Sequence, residues 1–535
     1  MTPDGSSLSL LDRQRALATD QRAAASTHTD IHYDSTLVTT EKPPKQRTLS
    51  ETESSARPVV AELLPLVTES VWSAPTLLPS GNSKSSEPVF TRGARTPLQK
   101  EVLAMMHHAW NEGYVKYCWG GDEFKPVSKG CHNGWHLGLT LVDSLDTLYL
   151  MGMDEEFAVA RAWVADTEAL DFSKVGNVNV FETSIRVIGG LLAAATLTGD
   201  GMFVTRAAEL GTRMLPAFQN RPPYSDIMVA SGHAQNLGGQ TSIGEAGTLS
   251  LEWRTLSELS GKPEYARAVN EVSNTLHALP TKDGLLRNSL PSGGIISLGA
   301  RGDSYYEYLL KQWLLSDRTE TVYLDDYMHA MQGVRTHLVK RSQGPMNLTY
   351  ISELHADGSA HRKMDHLVCF LPGLLALGVH FGAGPPEDLS LAKELMRTCR
   401  QMYVETGHML GPEIAHFDTN GQELFVKAAD SHDLLRPETV ESLFYLFRLT
   451  GDRLYQTWGQ EIMEGIEKYA KVDSGGYTSL DNTLGIVKKR DKMESFFLAE
   501  SLKYLFLLFD DSRSQLPLDI FVLSTEAHPF RMQRH

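Results

Sequence analysis

The sequence predicts an all-α fold, a closed barrel of paired helices, for residues 93–535. Through most of this region, apolar residues recur at spacings of three and four, the period of a helix with a buried face. Alternation typical of strands is nearly absent, apart from short pieces near 475–480 and 521–523. Several helices are apolar on almost every side, which is typical of helices enclosed by others. The pattern therefore favours a ring with a buried inner layer.

A short repeated motif marks where long helices end. Residues 197–200, 259–262 and 449–452 read Leu-Thr-Gly-Asp, Leu-Ser-Gly-Lys and Leu-Thr-Gly-Asp. Each motif puts a glycine just past a helix and opens another. Helical hairpins repeated at about 60 residues predict a solenoid or a toroid, in roughly seven pairs. Because the repeats are divergent and several helices are apolar nearly all round, we expect the toroid.

The strongest helical periodicity falls in eight segments. These segments are 98–110, 141–151, 180–197, 242–259, 304–315, 365–379, 437–449 and 492–508. Residues 1–92 are instead rich in Ser, Thr, Pro and Ala and cannot bury enough apolar surface to offset their ordering entropy, so a disordered stem is expected there. No signal peptide and no apolar run of about 18 residues is visible, so we expect no membrane span in this chain.

Charge and cysteine content exclude some classes of function and leave others open. The net charge is −16 and the basic residues form no long run, which argues against a nucleic-acid partner. With 41% hydrophobic residues among 535, the chain can build one large core. The four cysteines form two candidate pairs, Cys118 with Cys131 and Cys369 with Cys399, and either pair could be a disulfide or two buried thiols.

The most informative feature of the sequence is the occurrence of acidic residues in apolar helical segments. Glu182 lies one turn before Arg186 on an otherwise apolar helix, and Glu245, Asp303, Glu438 and Glu500 also occur in helical segments rich in apolar residues. Any one such acid is most simply an ion pair or a helix-end charge. Five helices of this kind are costly to bury without a shared purpose. Carboxylates, arginines and aromatics around one cavity suit glycoside hydrolysis, and they also suit a hard cation.

These residues lie in motifs that resemble glycoside hydrolase family 47, the class I α-1,2-mannosidases, from about residue 109 to 529. The matching motifs are residues 124–128, 141–148, 181–186, 298–307, 364–372, 435–441, 490–497 and 525–529. The resemblance implies an (αα)7 barrel plugged by a C-terminal β-hairpin. It also implies a calcium-dependent, inverting enzyme that trims terminal α-1,2-linked mannose from high-mannose N-glycans.

The resemblance also assigns roles by position. It implies Glu182 as the general acid, acting directly or through a water, Glu438 as the general base, and Asp303 as a third carboxylate that some mechanisms make the acid. Thr525 matches the calcium ligand, through its hydroxyl and carbonyl oxygens. Residues matching the substrate pocket are Arg186, Glu245, Arg301, Asp365, His366, Arg436, Glu441, Phe496, Glu500 and Glu526.

Further expectations follow from the family. Cys369 and Cys399 match its disulfide. Arg301 is similar to the endoplasmic reticulum type, which implies conversion of a nine-mannose glycan to an eight-mannose isomer in glycoprotein quality control and degradation. We expect a monomer in the endoplasmic reticulum, with the Golgi as the alternative. Family members usually carry a membrane anchor, and none is visible in this sequence. The sequence also departs from the family in Ser524, where many members have Asn, and in Cys118 and Cys131.

Two other functions fit the same residues. A degradation-enhancing relative would keep the acids yet act mainly as a lectin for the glycans of misfolded glycoproteins. A helical-repeat scaffold would have no site at all, and replacing Glu438 in it would change nothing.

Overall fold

The computed structural model describes residues 90–236, 241–290 and 293–532, so almost all of the predicted stem, 1–92, lies outside the described residues. Within these ranges there are fourteen α-helices of seven residues or more. They are α1 Pro97–His107, α2 Leu145–Met151, α3 Asp154–Ala165, α4 Gly189–Thr198, α5 Gly201–Met214, α6 Ser250–Ser260, α7 Pro263–His277, α8 Asp303–Leu315, α9 Thr321–Gly333, α10 Leu371–His380, α11 Glu387–Glu405, α12 Glu438–Thr450, α13 Leu454–Tyr469 and α14 Leu502–Leu508.

Shorter helical pieces lead into several of these helices. The short α-helices are Lys116–Cys118, Leu139–Asp143, Val180–Glu182 and Ile243–Gly247. Wider, π-helical turns are His108–Val115, Thr183–Ile188, Val334–Leu338 and Phe497–Ser501. Tighter, 3₁₀ turns are Leu215–Gln219, His366–Phe370 and Ala428–Asp430. Two of the π-helical turns contain residues predicted for the site, and such turns are common at functional sites.

Helix contacts follow a regular order. Along one layer, α2 contacts α4, and contacts continue through α6, α8, α10, α12 and α14. The turn Phe497–Ser501, just before α14, contacts α2 again, so the series returns to its start. Each of these seven helices also contacts one helix of a second layer, in the pairs α2–α3, α4–α5, α6–α7, α8–α9, α10–α11, α12–α13 and α14–α1.

The two layers differ in burial as the sequence pattern predicts. All seven residues of α14 are buried, as is every residue of α8 after Asp303. In α13, by contrast, the buried residues lie on one face, at positions such as Tyr455, Ile462 and Ile466. A helix that is apolar all round has no face for water, whereas an amphipathic helix does. The layer of α2, α4, α6, α8, α10, α12 and α14 is therefore the inner one.

The glycine motif does end helices, as predicted. Gly199 follows α4 with φ 74°, and Gly451 follows α12 with φ 75°, both in the left-handed region that a side chain disfavours. Gly261 ends α6 in the same way. Asp200 then caps α5, its Oδ1 accepting the Met202 N–H at 2.9 Å. The motif therefore stops an inner helix and starts its outer partner within a few residues.

Strands are more numerous than predicted, though all are short. Within the described ranges they form seven small antiparallel sheets, among the connections between helices. The strands are β1 Glu123–Lys125, β2 Gly130–His132, β3 Asn177–Asn179, β4 Asp226–Met228, β5 His233–Gln235, β6 Val339–Arg341, β7 Thr349–Ile351, β8 Glu353–Leu354, β9 Ala360–His361, β10 Lys363–Asp365, β11 Ile414–Thr419, β12 Gln422–Phe425, β13 Leu480–Asn482, β14 Lys488–Lys489, β15 Phe521–Leu523 and β16 Pro529–Arg531. A strand of two or three residues is too short for alternation to reveal it.

The last hairpin is buried rather than superficial. β15 pairs with β16 so that Val522 lies opposite Phe530, and both side chains are buried. β15 contacts α8, and β16 contacts α4, two helices that are not neighbours in the inner layer. The hairpin therefore reaches between inner helices and carries the turn 524–528 into the interior.

One helical stretch meets the length and apolarity of a membrane span, which the sequence reading did not expect. It is Val180–Thr198, and 78% of its most apolar window is buried. It was the only such stretch among the described residues. Here it packs against other helices as the inner helix α4 and the turns that lead into it.

Both cysteine pairs are disulfides. Cys369 is bonded to Cys399, as the family resemblance implied, and this bond joins the turn before α10 to α11. Cys118 is bonded to Cys131, which lies on β2. The two bonds close loops of different length, with sequence separations of 30 and 13.

Loop length predicts which disulfide matters more for stability. Loss of Cys369–Cys399, in a Cys369→Ala, Cys399→Ala variant, should lower the free energy of unfolding by about 3–4 kcal/mol, because the longer loop restricts the unfolded chain more. The matched Cys118→Ala, Cys131→Ala variant should lose less, about 3 kcal/mol. Urea unfolding followed by tryptophan fluorescence measures both. Equal losses, or a larger loss for the shorter loop, would contradict this ranking.

Candidate active site

The three predicted catalytic carboxylates lie at equivalent places in the fold. Asp303 is the first residue of α8, and Glu438 is the first residue of α12. Glu182 lies in the short helix leading to α4, where Asn179 Oδ1 accepts the Glu182 N–H at 2.9 Å. Helix N-termini carry partial positive charge, which favours acids there. Three inner helices thus bring one acid each to the same end of the inner layer.

Arg186 connects several of the predicted residues. Its Nε donates to Glu182 Oε2 at 2.8 Å, and its Nη1 forms an ion pair with Glu526. Nη1 also lies 3.7 Å from Asp143 Oδ2, and the guanidinium carbon is 5.4 Å from the centre of the Phe496 ring. Burial opposes the charge, but the surrounding carboxylates raise the pKa of Arg186 well above its usual range. A permanent cation therefore holds this group of acids together.

Glu500 and Glu526 crowd each other in the interior. Burial, and then the neighbouring Glu526, raise the pKa of Glu500 well above its usual range. Burial also raises the pKa of Glu526 to about 7, although Arg186 opposes this change. Glu441 has a pKa raised to about 8 by burial, with Lys311 acting against it. Burial and mutual repulsion therefore favour the protonated forms of these carboxyls, and an added positive charge would favour the ionised forms.

Asp303 is also protonated more readily than an ordinary aspartate. Burial, together with the nearby Glu438 and Glu307, raises its pKa to about 7. The Ser304 N–H, which donates to Asp303 Oδ1 at 2.9 Å, and the charge of Arg436 act in the opposite direction. A carboxyl with this pKa can give or take a proton at neutral pH.

Glu438 is paired with a histidine. Its Oε2 lies 2.8 Å from His366 Nδ1, and His366 Nε2 lies 2.7 Å from the Tyr403 hydroxyl. His366 is buried, so the contacts on both ring nitrogens fix its orientation. The ring in turn fixes the direction of the Glu438 carboxylate, which a general base requires.

The remaining predicted pocket residues border the same region. Arg436 makes a two-point contact with Glu413, with Nη2 at 2.7 Å from Oε1 and Nε at 2.9 Å from Oε2. Burial opposes the ionisation of Glu413, but the charge of Arg436 lowers the pKa of Glu413 to about 2. Asp365 Oδ2 accepts the Ala300 N–H at 3.3 Å, beside Arg301.

Glu245 has a structural task in addition to any contact with substrate. Its Oε2 accepts the Ser242 N–H at 2.9 Å, while Ser242 Oγ accepts the Glu245 N–H at 3.1 Å. This reciprocal cap starts the short helix Ile243–Gly247. The next residue back, Gly244, donates its N–H to the Arg301 carbonyl at 2.9 Å, and Arg301 itself has φ 74°. Glu245, Arg301 and Asp303 are therefore close neighbours.

Thr525 lies in the turn between β15 and β16, and side chains hold the backbone around it. Ser524 Oγ accepts the N–H groups of Glu526 and His528, each at 3.2 Å. Serine thus supports the turn where many family members have asparagine. Lys503 Nζ donates to the Ala527 carbonyl at 3.0 Å. No hydrogen bond to the Thr525 carbonyl or hydroxyl oxygen is found in the part of the chain that the structure describes.

This region fits a hard cation. Thr525 offers two oxygens that accept no hydrogen bond from any described residue, next to Glu526 and near the crowded carboxyls described above. Calcium prefers oxygen ligands, and its charge would offset the repulsion among these acids. No cluster of three or more His, Cys, Asp or Glu side chains with direct metal-ligand geometry occurs in residues 90–236, 241–290 and 293–532. The residues that could hold such a cation are Thr525, through its two oxygens, and the neighbouring carboxyls of Glu500 and Glu526.

The structure adds functional neighbours that the sequence did not single out. His528, fully buried, contacts Asp143 and Asp146 at 3.2 Å each, and both acids belong to the motif 141–148. Burial opposes protonation, but these acids raise the pKa of His528 to about 9. No sequence pattern pointed to Glu413, because it lies in a connection between helices, where no helical period relates it to Arg436.

Comparisons with known proteins agree with this geometry. A sequence model of glycosyl hydrolase family 47 matches residues 105–532. The chain is 49% identical over 451 residues to the endoplasmic reticulum mannosyl-oligosaccharide 1,2-alpha-mannosidase of Rattus norvegicus, covering 81% of this chain and 67% of that protein. Against the Homo sapiens protein of the same name, the identity is 48%, covering 83% of this chain and 65% of the relative. The chain therefore spans about two thirds of the length of these relatives.

A solved structure gives the same result for the fold. An alpha-1,2-mannosidase from Trichoderma reesei superposes with a TM-score of 0.74 at 26% sequence identity. The match covers 82% of this chain and 100% of that one. The family match extends over most of the chain and includes every predicted site residue. The chain belongs to glycosyl hydrolase family 47.

Proposed function

We propose that this chain is a calcium-dependent, inverting α-1,2-mannosidase. Its substrate would be a high-mannose N-glycan on a glycoprotein, from which it removes one terminal mannose to convert the nine-mannose to the eight-mannose form. The observation that carries the proposal is the gathering of Glu182, Asp303 and Glu438 at one end of the inner helices. Support also comes from relatives named as mannosyl-oligosaccharide 1,2-alpha-mannosidases.

The proposed architecture is a single (αα)7 barrel, 93–535, preceded by a stem, 1–92. The returning series of inner-helix contacts supports a closed ring. The buried hairpin of β15 and β16 would plug one end of this ring and bring Thr525 and Glu526 to the bottom of the pocket. A sugar would then reach the carboxylates from the side opposite the hairpin.

In the proposed mechanism the carboxylates share the chemistry of glycoside inversion. Glu438, oriented by His366, would take a proton from the attacking water. The leaving oxygen would receive a proton from Glu182, directly or through a water, or from Asp303, whose raised pKa suits a donor. Arg186 would keep Glu182 in place.

The pocket residues would bind and orient the terminal mannose. Phe496 offers an aromatic face, and Arg301, Arg436 and Asp365 offer hydrogen-bonding groups at the rim. When bound at Thr525, calcium would supply a positive charge that orients sugar hydroxyls and offsets the crowded acids. Glu441, Glu500 and Glu526 would hold its waters.

The proposed location is the secretory pathway, in the endoplasmic reticulum or the Golgi, and the proposed state is a monomer. Two disulfides suit an oxidising compartment. Asn347 is exposed in a turn and begins the N-glycosylation acceptor motif Asn347-Leu348-Thr349. The names of the rat and human relatives point to the endoplasmic reticulum. Degradation of misfolded glycoproteins would be the process served.

Digestion of a nine-mannose glycan tests the function. With calcium, the enzyme should release a single mannose as the β-anomer and leave one eight-mannose isomer, which NMR of the released sugar and chromatography of the glycan identify. A chelator should stop release, and added calcium should restore it, because the cation orients the sugar. Tight glycan binding without release would instead indicate a lectin of the degradation-enhancing kind.

The base assigned to Glu438 gives a second prediction. Glu438→Gln keeps the size of the side chain and removes its basicity, so kcat should fall by about 10²–10⁴-fold with little change in glycan affinity. Initial rates and calorimetric glycan titration measure the two quantities. Glu405→Gln, on the outer helix α11, is the matched control and should keep full activity. Unchanged turnover in Glu438→Gln would indicate a scaffold rather than an enzyme.

The proton donor can be identified from the pH profile. Asp303 has a pKa raised to about 7, so it is protonated below that pH and loses its proton above it. If Asp303 is the donor, kcat/KM should fall about tenfold per pH unit above pH 7. The residual activity of Glu182→Gln should then show the same fall in kcat/KM above pH 7. If this fall is absent in Glu182→Gln, the donor role belongs to Glu182.

A further inference from the structure

Thr525 is held at its backbone by one side chain from an inner helix. The Thr525 N–H donates to the Tyr308 hydroxyl at 3.3 Å. Tyr308 belongs to α8, the helix that also begins with Asp303. The same helix provides Lys311, whose Nζ donates to the Ser524 carbonyl at 3.4 Å. One rigid helix thus contacts both the turn that carries Thr525 and the pocket.

The Tyr308 hydroxyl has a second partner that fixes its orientation. It donates its proton to Glu252 Oε1 at 2.6 Å, and both side chains are fully buried. A hydroxyl has one proton, so a proton committed to Glu252 leaves a lone pair for the Thr525 N–H. The chain of bonds therefore has a single direction, from Thr525 through Tyr308 to Glu252.

The burial of Glu252 at this position lowers the stability of the fold. Glu252 lies on α6 with 0% exposure, and its Oε2 has no hydrogen-bond partner in the part of the chain that the structure describes. A buried acid without full hydrogen bonding costs stability, and an apolar residue would fill the same space without that cost. Burial raises the pKa of Glu252 to about 8, and the hydrogen bond from Tyr308 opposes that rise. The carboxyl makes physical sense as the acceptor that orients Tyr308.

We propose that Tyr308, oriented by Glu252, is a positioning residue that holds Thr525 so that its hydroxyl and carbonyl oxygens face the cation. This inference rests on the proposed function, because it takes Thr525 as the calcium ligand. The Thr525 N–H, Ser524 carbonyl and Ala527 carbonyl are all engaged by buried side chains, so the turn has little freedom to rotate. Groups that orient a metal ligand in this way commonly change metal affinity by 10–100-fold when removed.

The test measures calcium affinity directly, on enzyme stripped of metal and titrated with calcium in a calorimeter. Tyr308→Phe removes only the hydroxyl and should raise the Kd for calcium by about 10–100-fold. Tyr306→Phe is the matched control: Tyr306 is also fully buried on α8, but its hydroxyl contacts the Leu286 backbone at 3.0 and 3.2 Å. This control should lose similar thermal stability without calcium and keep the parent Kd.

Variants of Glu252 test whether this carboxyl orients Tyr308. Glu252→Gln keeps an oxygen that accepts from Tyr308 and should keep calcium binding near the parent value. Glu252→Leu removes the acceptor and should weaken binding as Tyr308→Phe does. If Tyr308→Phe does not fold, the difference between these two variants gives the answer.

The outcomes separate this inference from the proposed function. A parent enzyme that binds no calcium contradicts the proposed cation dependence, and the inference falls with it. A parent that binds calcium, with Tyr308→Phe and Glu252→Leu binding it equally tightly, overturns the inference alone. A Tyr306→Phe variant that loses as much affinity as Tyr308→Phe also overturns it, because the effect would then be general destabilisation of α8.

Discussion

Acidic side chains enter the interior of this molecule from several inner helices and from the turns that lead into others, and the structure depends on how their charge is balanced. An ionised carboxylate removed from water is costly unless a cation or several donors meet it. Arg186 answers this need for Glu182, Glu526 and Asp143 together. By doing so it connects the helix leading to α4, the C-terminal turn and the segment before α2. At Glu500, burial and the neighbouring Glu526 instead raise the pKa of the carboxyl and favour its protonated form.

Balanced charge also explains why the hairpin of β15 and β16 is part of the core. His528 meets two acids, and Lys503 Nζ lies 2.6 Å from Asp146 while also donating to the Ala527 carbonyl. These groups have no exposure to water, so removing one partner leaves a buried charge unpaired. The position of Thr525 is therefore set by electrostatics around the turn as much as by strand pairing.

Much of the fold was readable from the sequence, because burial imposes a period. The segment 304–315 became α8, and 437–449 became α12, each within one residue at either end. The segment 242–259 is instead two helices, since the cap of Ser242 and Glu245 starts a short one that ends before α6 begins. The wider turn at Phe497–Ser501 and most of the short strands were also not predicted, because neither has a distinctive period, although β15 lies where a strand was expected at 521–523.

The site was predictable to a different degree. Acids in apolar helices drew notice to Glu182, Asp303 and Glu438 by composition alone, and the family resemblance gave them roles. Contacts between remote segments left no pattern to read. Arg436 with Glu413, and Tyr308 with Glu252, are pairs that only the folded chain defines. Such pairs orient the predicted residues, so the sequence indicated the candidate catalytic residues but not the side chains that support them.

The C-terminal turn also has a consequence for biosynthesis. Residues 521–531 follow all fourteen helices along the chain, yet the turn between their strands reaches the centre of the carboxylate cluster. A ribosome therefore delivers the helices before it delivers Thr525 and Glu526. The helical layers can collapse first, around an interior with unbalanced acids, and the arriving hairpin then neutralises part of that charge through His528. Thr525 and Glu526, the residues proposed to bind the cation, are thus the last part of the candidate site to be synthesised.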